Sequence, residues 1–184
     1  MRGWLREHRR ATVGFAGVAI ALAAFGVLWF GPQYLFIDHT VSEALPSVAE
    51  PEGSSTGPGS ESSPDPPAAE ATVVARGELR SLEHESSGTA LIIELPDGSR
   101  FLRLEDLETS NGPDLRVIVS DQAVSDEWRI WDDGSYFDLG PLKGNIGSSN
   151  YAIPSDVELS RFRTAVVWCR RFSVGFAVAP LDAA

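Results

Sequence analysis

The chain has 184 residues, 26 acidic and 15 basic side chains, a net charge of −11, three histidines and a single cysteine. That length holds one ordinary domain with flanking segments, and the acidic balance argues against nucleic acid as a partner. One cysteine excludes an intramolecular disulfide, and so few imidazoles and thiols exclude a closed structural zinc site.

The N-terminus is basic: Arg2, Arg6, Arg9 and Arg10 surround one acid, Glu7. Residues 11–30 follow with no charged side chain. As a helix they extend about 30 Å, the thickness of a bilayer core, so one transmembrane helix is expected over 11–30. Trp4 precedes the run, while Trp29 and Tyr34 lie near its far end, as suits the headgroup zones. The arginines place residues 1–10 in the cytoplasm and the C-terminal part outside the cell membrane. A cleaved signal peptide would have an apolar core of about 7–15 residues ending in a small-x-small site. Here bulky Val27, Leu28, Trp29 and Phe30 close the run and Ala21-Leu22-Ala23 sits mid-helix, which favours an uncleaved signal-anchor.

Residues 38–72 contain six prolines among serines, glycines and seven acids, with no lysine or arginine. Such a composition buries too little apolar surface to offset the entropy of ordering, so a disordered stalk is expected. Its length would span roughly 30 Å as a flexible coil.

Residues 73–184 form the expected domain, with eleven bases and eighteen acids. Thr89, Leu91, Ile93 and Leu95 alternate with Ala90, Ile92 and Glu94, and Pro96-Asp97-Gly98-Ser99 turns the chain into Arg100–Leu104. Further strands are expected at Val74–Leu79, Leu115–Ser120 (bounded by the breaker Asn111-Gly112-Pro113), Tyr136–Leu139, Tyr151–Ile153, Thr164–Arg170 and Val174–Ala179. Only Ser155–Phe162 has room for a helical turn. Many short strands between Gly, Pro and Asp clusters predict an all-β antiparallel sandwich. Phe172, Val174, Phe176 and Val178 share one parity, while Cys169 shares parity with Ala165 and Val167. Alternation does not decide which of Trp168 and Cys169 faces the core.

The inventory of reactive groups is short. No Cys-x-x-Cys-His, phosphate loop or nucleophile elbow is present, and no catalytic acid–base pair can be assigned. The acidic run Glu105-Asp106-Leu107-Glu108 with Asp114 lacks EF-hand spacing and reads as a solvated loop. Trp128 and Trp131 read as caps on the core. What remains is Cys169, with His84 as the domain's only imidazole. A free cysteine is ordinarily a small buried filler, whereas Arg170 and Arg171 would favour a reactive thiolate if they approached the sulfur.

Several segments recur in one order: His84-x-x-x-Gly88-Thr89-Ala90, Leu102-Arg103-Leu104-Glu105, and Gly112-Pro113-Asp114-Leu115. Asp138-Leu139-Gly140-Pro141-Leu142-Lys143-Gly144 and Gly147-x-x-x-Tyr151-x-Ile153-Pro154 come next, and Trp168-Cys169-x-x-Phe172-x-Val174-x-Phe176 completes the series. Over about residues 75–181 this resembles the DM-13 domain, an exported β-sandwich module often found with DOMON-type domains. The resemblance implies extracytoplasmic electron transfer through the cysteine matching Cys169, as a bare thiol or as a ligand to haem, with His84 a weaker candidate ligand. It also implies a separate redox partner, since no second electron-transfer domain is present. The competing expectation is a surface binding or structural domain in which Cys169 is inert core.

Overall fold

The structure, a computed structural model, describes residues 9–30, 37–46 and 71–184. Helix α1 spans Arg9–Phe30. Eleven strands follow: β1 (Thr40–Ser42), β2 (Thr72–Glu78), β3 (Arg80–Ser81), β4 (Ser87–Glu94), β5 (Arg100–Glu108), β6 (Leu115–Ser120), β7 (Tyr136–Pro141), β8 (Ile146–Ile153), β9 (Thr164–Cys169), β10 (Val174–Pro180) and β11 (Asp182–Ala183). One 3-10 turn, Leu159–Arg161, falls within the segment expected to hold it.

The strands form two sheets, ordered β1-β8-β5-β4-β2-β11 and β3-β10-β9-β6-β7. Every pairing is antiparallel except that of β1 with β8. The larger sheet sends Ala90, Ile92, Leu102, Leu104, Tyr151 and Ile153 into a shared core, and the smaller one sends Val117, Ala165, Val167, Cys169, Phe176 and Ala177. This is the all-β sandwich that the alternation predicts.

Parity behaves differently in individual strands. In β4 the set Leu91 and Ile93 joins Leu95 and Phe101 in a separate cluster, while Ala90 and Ile92 face the other sheet. In β10 the register shifts between Gly175 and Ala177. This bulge breaks the expected single face: Val174, Phe176, Ala177 and Ala179 join the shared core, while Val178 points to the opposite side.

That opposite side of the smaller sheet is also covered. Trp131 is fully buried against Ile118, Val166, Trp168 and Val178, and its loop is fastened where Ser120 Oγ donates to the Trp131 carbonyl at 3.1 Å. Gly175 makes room for it, since a Cβ there would meet Trp131 Nε1 at 2.4 Å. The expected capping role therefore belongs to Trp131, whereas Trp128 is 40% exposed.

The N-terminal expectations divide. The helix lies where the span was expected, and its side chains Val13, Phe15, Val18, Ile20 and Leu22 are exposed. Among the described residues no helix is long and apolar enough to cross a membrane.

The stalk expectation needs correction at its start. Residues 38–46 are not disordered: they contain β1, and Glu43 N–H donates to the Ser148 carbonyl at 2.9 Å. Composition missed this because the binding groups come from far along the chain. Arg103 Nη1 donates to the Glu43 and Ala44 carbonyls at 3.0 and 3.3 Å. Lys143 Nζ reaches the Glu43 carboxylate at 2.8 Å, and His39 N–H donates to Asn145 Oδ1 at 2.7 Å. Residues 47–70 of the expected stalk, and most of the basic N-terminus, lie outside the described residues.

Two outcomes follow for stability. Trp131→Ala should cost about 3–5 kcal/mol in denaturant unfolding, as for other buried aromatics. Trp131→Phe should cost less than half of that, because the indole N–H it removes has no hydrogen-bond partner among the described residues.

The second concerns Glu43. Burial works against its ionisation, but the Lys143 hydrogen bond, the Asn150 N–H, and the charges of Lys143 and Arg103 outweigh it and lower its pKa. The folded-state pKa is depressed, so the pairing stabilises the fold above the ordinary glutamate value of about 4.3. That contribution is lost as pH falls through the lower folded value. Hydrogen-exchange protection at the Glu43 amide should fall with it, and Glu43→Gln should flatten the pH dependence.

Candidate functional site

Cys169 is the last residue of β9 and is fully buried. Its backbone is paired on both sides, opposite Val174 of β10 and Leu115 of β6. These registers carry two irregular segments to the sulfur. From β6 comes the breaker Asn111-Gly112-Pro113-Asp114, and Cys169 Sγ donates to the Pro113 carbonyl at 3.9 Å. From β10 comes the bend Arg170-Arg171-Phe172-Ser173, whose Phe172 N–H donates to the Cys169 carbonyl at 3.3 Å.

Both segments hold a non-glycine residue in the left-handed region: Asp114 at φ 91° and Ser173 at φ 50°. Such conformations cost on the order of 1–3 kcal/mol each and persist only where surrounding contacts enforce them. One such contact is the ion pair from Arg170 Nε to Asp114 Oδ2 at 2.9 Å, which ties the bend to the breaker.

The electrostatics run against a resting thiolate. Burial raises the pKa of Cys169 above the ordinary thiol value, and Asp114 adds to the rise. The Phe172 and Arg171 N–H groups and the charge of Arg171 oppose this without cancelling it. Of the two neighbouring arginines, Arg170 is occupied by Asp114. Arg171 donates to the Trp29 carbonyl and lies over the Trp29 ring at 5.7 Å. The thiolate-favouring effect expected of this pair is therefore weaker than burial.

His84 sits in the turn between β3 and β4. Its ring lies on Phe176 with centroids 3.9 Å apart, and its Nε2 is paired with the Glu83 carboxylate. Phe176 belongs to the core that holds Cys169, so the two candidate residues are neighbours of one cluster without a direct hydrogen bond between them. A groove of about 600 Å³ lined by Asp38, Ser81, Glu85, Glu108 and Asn111 lies beside this turn, yet neither His84 nor Cys169 lines it.

This geometry does not fit haem ligation. An axial ligand must face a cavity the size of a macrocycle. Cys169 instead faces a backbone carbonyl in a packed core, and the accessible nitrogen of His84 is engaged by Glu83. The acidic run 105–108 is not a loop either. It forms the end of β5, with Leu107 2% exposed and a register shift against β8 between Leu104 and Leu107.

Sequence reasoning found the sulfur but not its neighbours. Pro113 was legible only as part of a chain breaker and Asp114 only as one more acid of a solvated loop, because a backbone acceptor and a strained carboxylate leave no mark in residue type. Nothing local marks Glu43 as the partner of Lys143.

A family model described as Electron transfer DM13 matches residues 78–181. No curated protein and no solved structure matches the chain. The matched span covers more than half of the chain and contains the breaker, the bend and Cys169 between them, so this chain belongs to the DM13 electron-transfer family.

Proposed function

We propose that this chain is a membrane-anchored, extracytoplasmic redox accessory whose working group is Cys169 as a bare thiol. Membership of an electron-transfer family supports a redox role. The observation that carries the choice of group is the enclosure of the domain's one sulfur by two strained segments, tied by the Arg170–Asp114 pair, at a strand end. A strand end opens by local rearrangement more readily than a strand centre. Opening on the Asp114 side removes burial and the carboxylate that raise the thiol pKa and leaves the bend with Arg171 in place.

A single thiol sets the stoichiometry. The exposed thiolate attacks a disulfide of a separate extracytoplasmic protein; one new S–S bond forms, the partner's S–S bond breaks, and one partner thiolate leaves. With no second cysteine in the chain, resolution must come from the partner or a further thiol. Anchoring rests on the uncharged run from residue 11 to 30, which α1 holds as one helix, with arginines on its cytoplasmic side.

The alternative is a binding or structural domain with Cys169 as filler, favoured by complete burial and the raised pKa. Alkylation kinetics separate the two. For the proposed role, the folded full-length protein should react with a small maleimide faster than it unfolds, and Asp114→Asn should raise that rate several-fold. The rate should also increase with pH beyond the ordinary thiol range of about 8.5. If labelling instead tracks global unfolding in urea, and Asp114→Asn changes both equally, Cys169 is filler. Mixed-disulfide formation with a model aromatic disulfide should be abolished by Cys169→Ser.

A further inference from the structure

The groups that hold β1 are more specific than a three-residue strand requires. A Cβ on Gly147 (φ +102°) would meet the Val41 carbonyl oxygen at 2.0 Å, and one on Gly144 would meet the His39 carbonyl oxygen at 2.5 Å. Arg103 is 6% exposed, and its Nη1 gives hydrogen bonds to the carbonyls of Glu43 and Ala44 and to Asn150 Oδ1. A guanidinium this buried is costly without those acceptors. Asn150 returns two bonds, from its N–H to the Glu43 carboxylate and from Nδ2 to the Ala44 carbonyl, each at 2.7 Å. Asn145 Nδ2 reaches Asp38 at 2.8 Å, and Asn111 Nδ2 reaches the Ile37 carbonyl at 2.9 Å. These groups line the β8 edge of the larger sheet, where an uncovered strand would offer unpaired backbone to any extended chain. All of them lie within the family span 78–181, whereas residues 37–45 lie outside it.

We propose that the β8 edge is a built docking site for an extended segment, that its occupant is residues 37–45 of the same chain, and that this docking holds the sandwich close to the membrane. The last part rests on the reading that α1 crosses the bilayer. Six residues separate Phe30 from Ile37, a reach of at most about 25 Å. Without docking, the chain next enters the sandwich at Thr72 of β2, while the exposed Arg171–Trp29 contact remains as a separate link to α1. Forty-one residues then intervene, a length that reaches about 35 Å as a coil and about 130 Å in polyproline geometry. The Pro/Ser-rich segment leaves from Pro46 beside β1 and returns at Ala71 before β2, four strand positions away across the same sheet. With β1 docked, that segment closes a loop on the sandwich and does not set its distance from the bilayer.

The test uses full-length protein in lipid vesicles, with a donor dye on Ala184→Cys in a Cys169→Ser background and acceptor-labelled headgroups. Native protein should show strong energy transfer and exchange protection at the Glu43 and Ile146 amides. Glu43→Lys should remove the protection and lower transfer at least twofold, and adding Lys143→Glu should restore both. Glu43→Gln serves as the milder variant, with the urea midpoint confirming that the sandwich is intact. Free exchange of the native amides would overturn the docking, and so would protection that depends on protein density, because the occupant would then be a second copy. Loss of protection with unchanged transfer would overturn the control of distance. If a carbonate wash strips the native protein from vesicles while protection persists, it is the anchoring reading that fails, and the docking stands.

Discussion

The strand that carries Cys169 is buried along its whole length and on both faces, and the surroundings of the sulfur follow from that constraint. Ala165, Val167 and Cys169 meet the larger sheet, while Val166 and Trp168 meet the layer built on Trp131. Because β9 lies between β10 and β6, its backbone is committed to ladders on both sides. A slip of one residue would exchange a thiol for an indole in a core with no room for it. The same two registers bring Leu115 and Val174 opposite Cys169, which fixes where the breaker and the bend approach the sulfur.

Enclosure and reactivity pull against each other at this position. Burial favours the protonated thiol, and Asp114 reinforces it, yet the segments responsible hold two backbone conformations that L-residues avoid. A purely structural cysteine needs neither, since a small apolar side chain in a regular strand fills the same space. In the proposed role, the strained cover at the strand end would shield the thiol between encounters with a partner.

A second constraint acts at the sheet edges. The smaller sheet ends in the two-residue β3 and in β7; the larger ends in the two-residue β11 and in β1, which comes from the acidic N-terminal segment. Short strands limit pairing with other chains. The β8 edge is treated differently, through glycines that admit a backbone and side chains that bind its carbonyls.

Elements defined by nearby residues were readable in advance. The turn at Pro96–Ser99, the breaker at Asn111–Pro113, and the cores of β4, β6, β9 and β10 all carry their signals within a few positions. β1 carries none: Thr40–Ser42 lies among acids and prolines, and its partners are Arg103, Lys143, Asn145 and Asn150. The β10 bulge was hidden for a related reason, since alternation continues through Phe176 while the pairing with β9 slips by one.

The amino-acid sequence alone determined the chemical inventory, because residue types need no fold to be counted: one thiol, one imidazole in the domain, and an uncharged run after four arginines. It also determined the strand-rich character of residues 73–184, which local alternation and turn residues encode. Tertiary structure alone decided that Cys169 rather than Trp168 faces the shared core, that the Pro113 carbonyl meets the sulfur, and that residues 38–46 join the sheet. Each of these depends on the register of strands distant in sequence, a non-local quantity that no single segment contains.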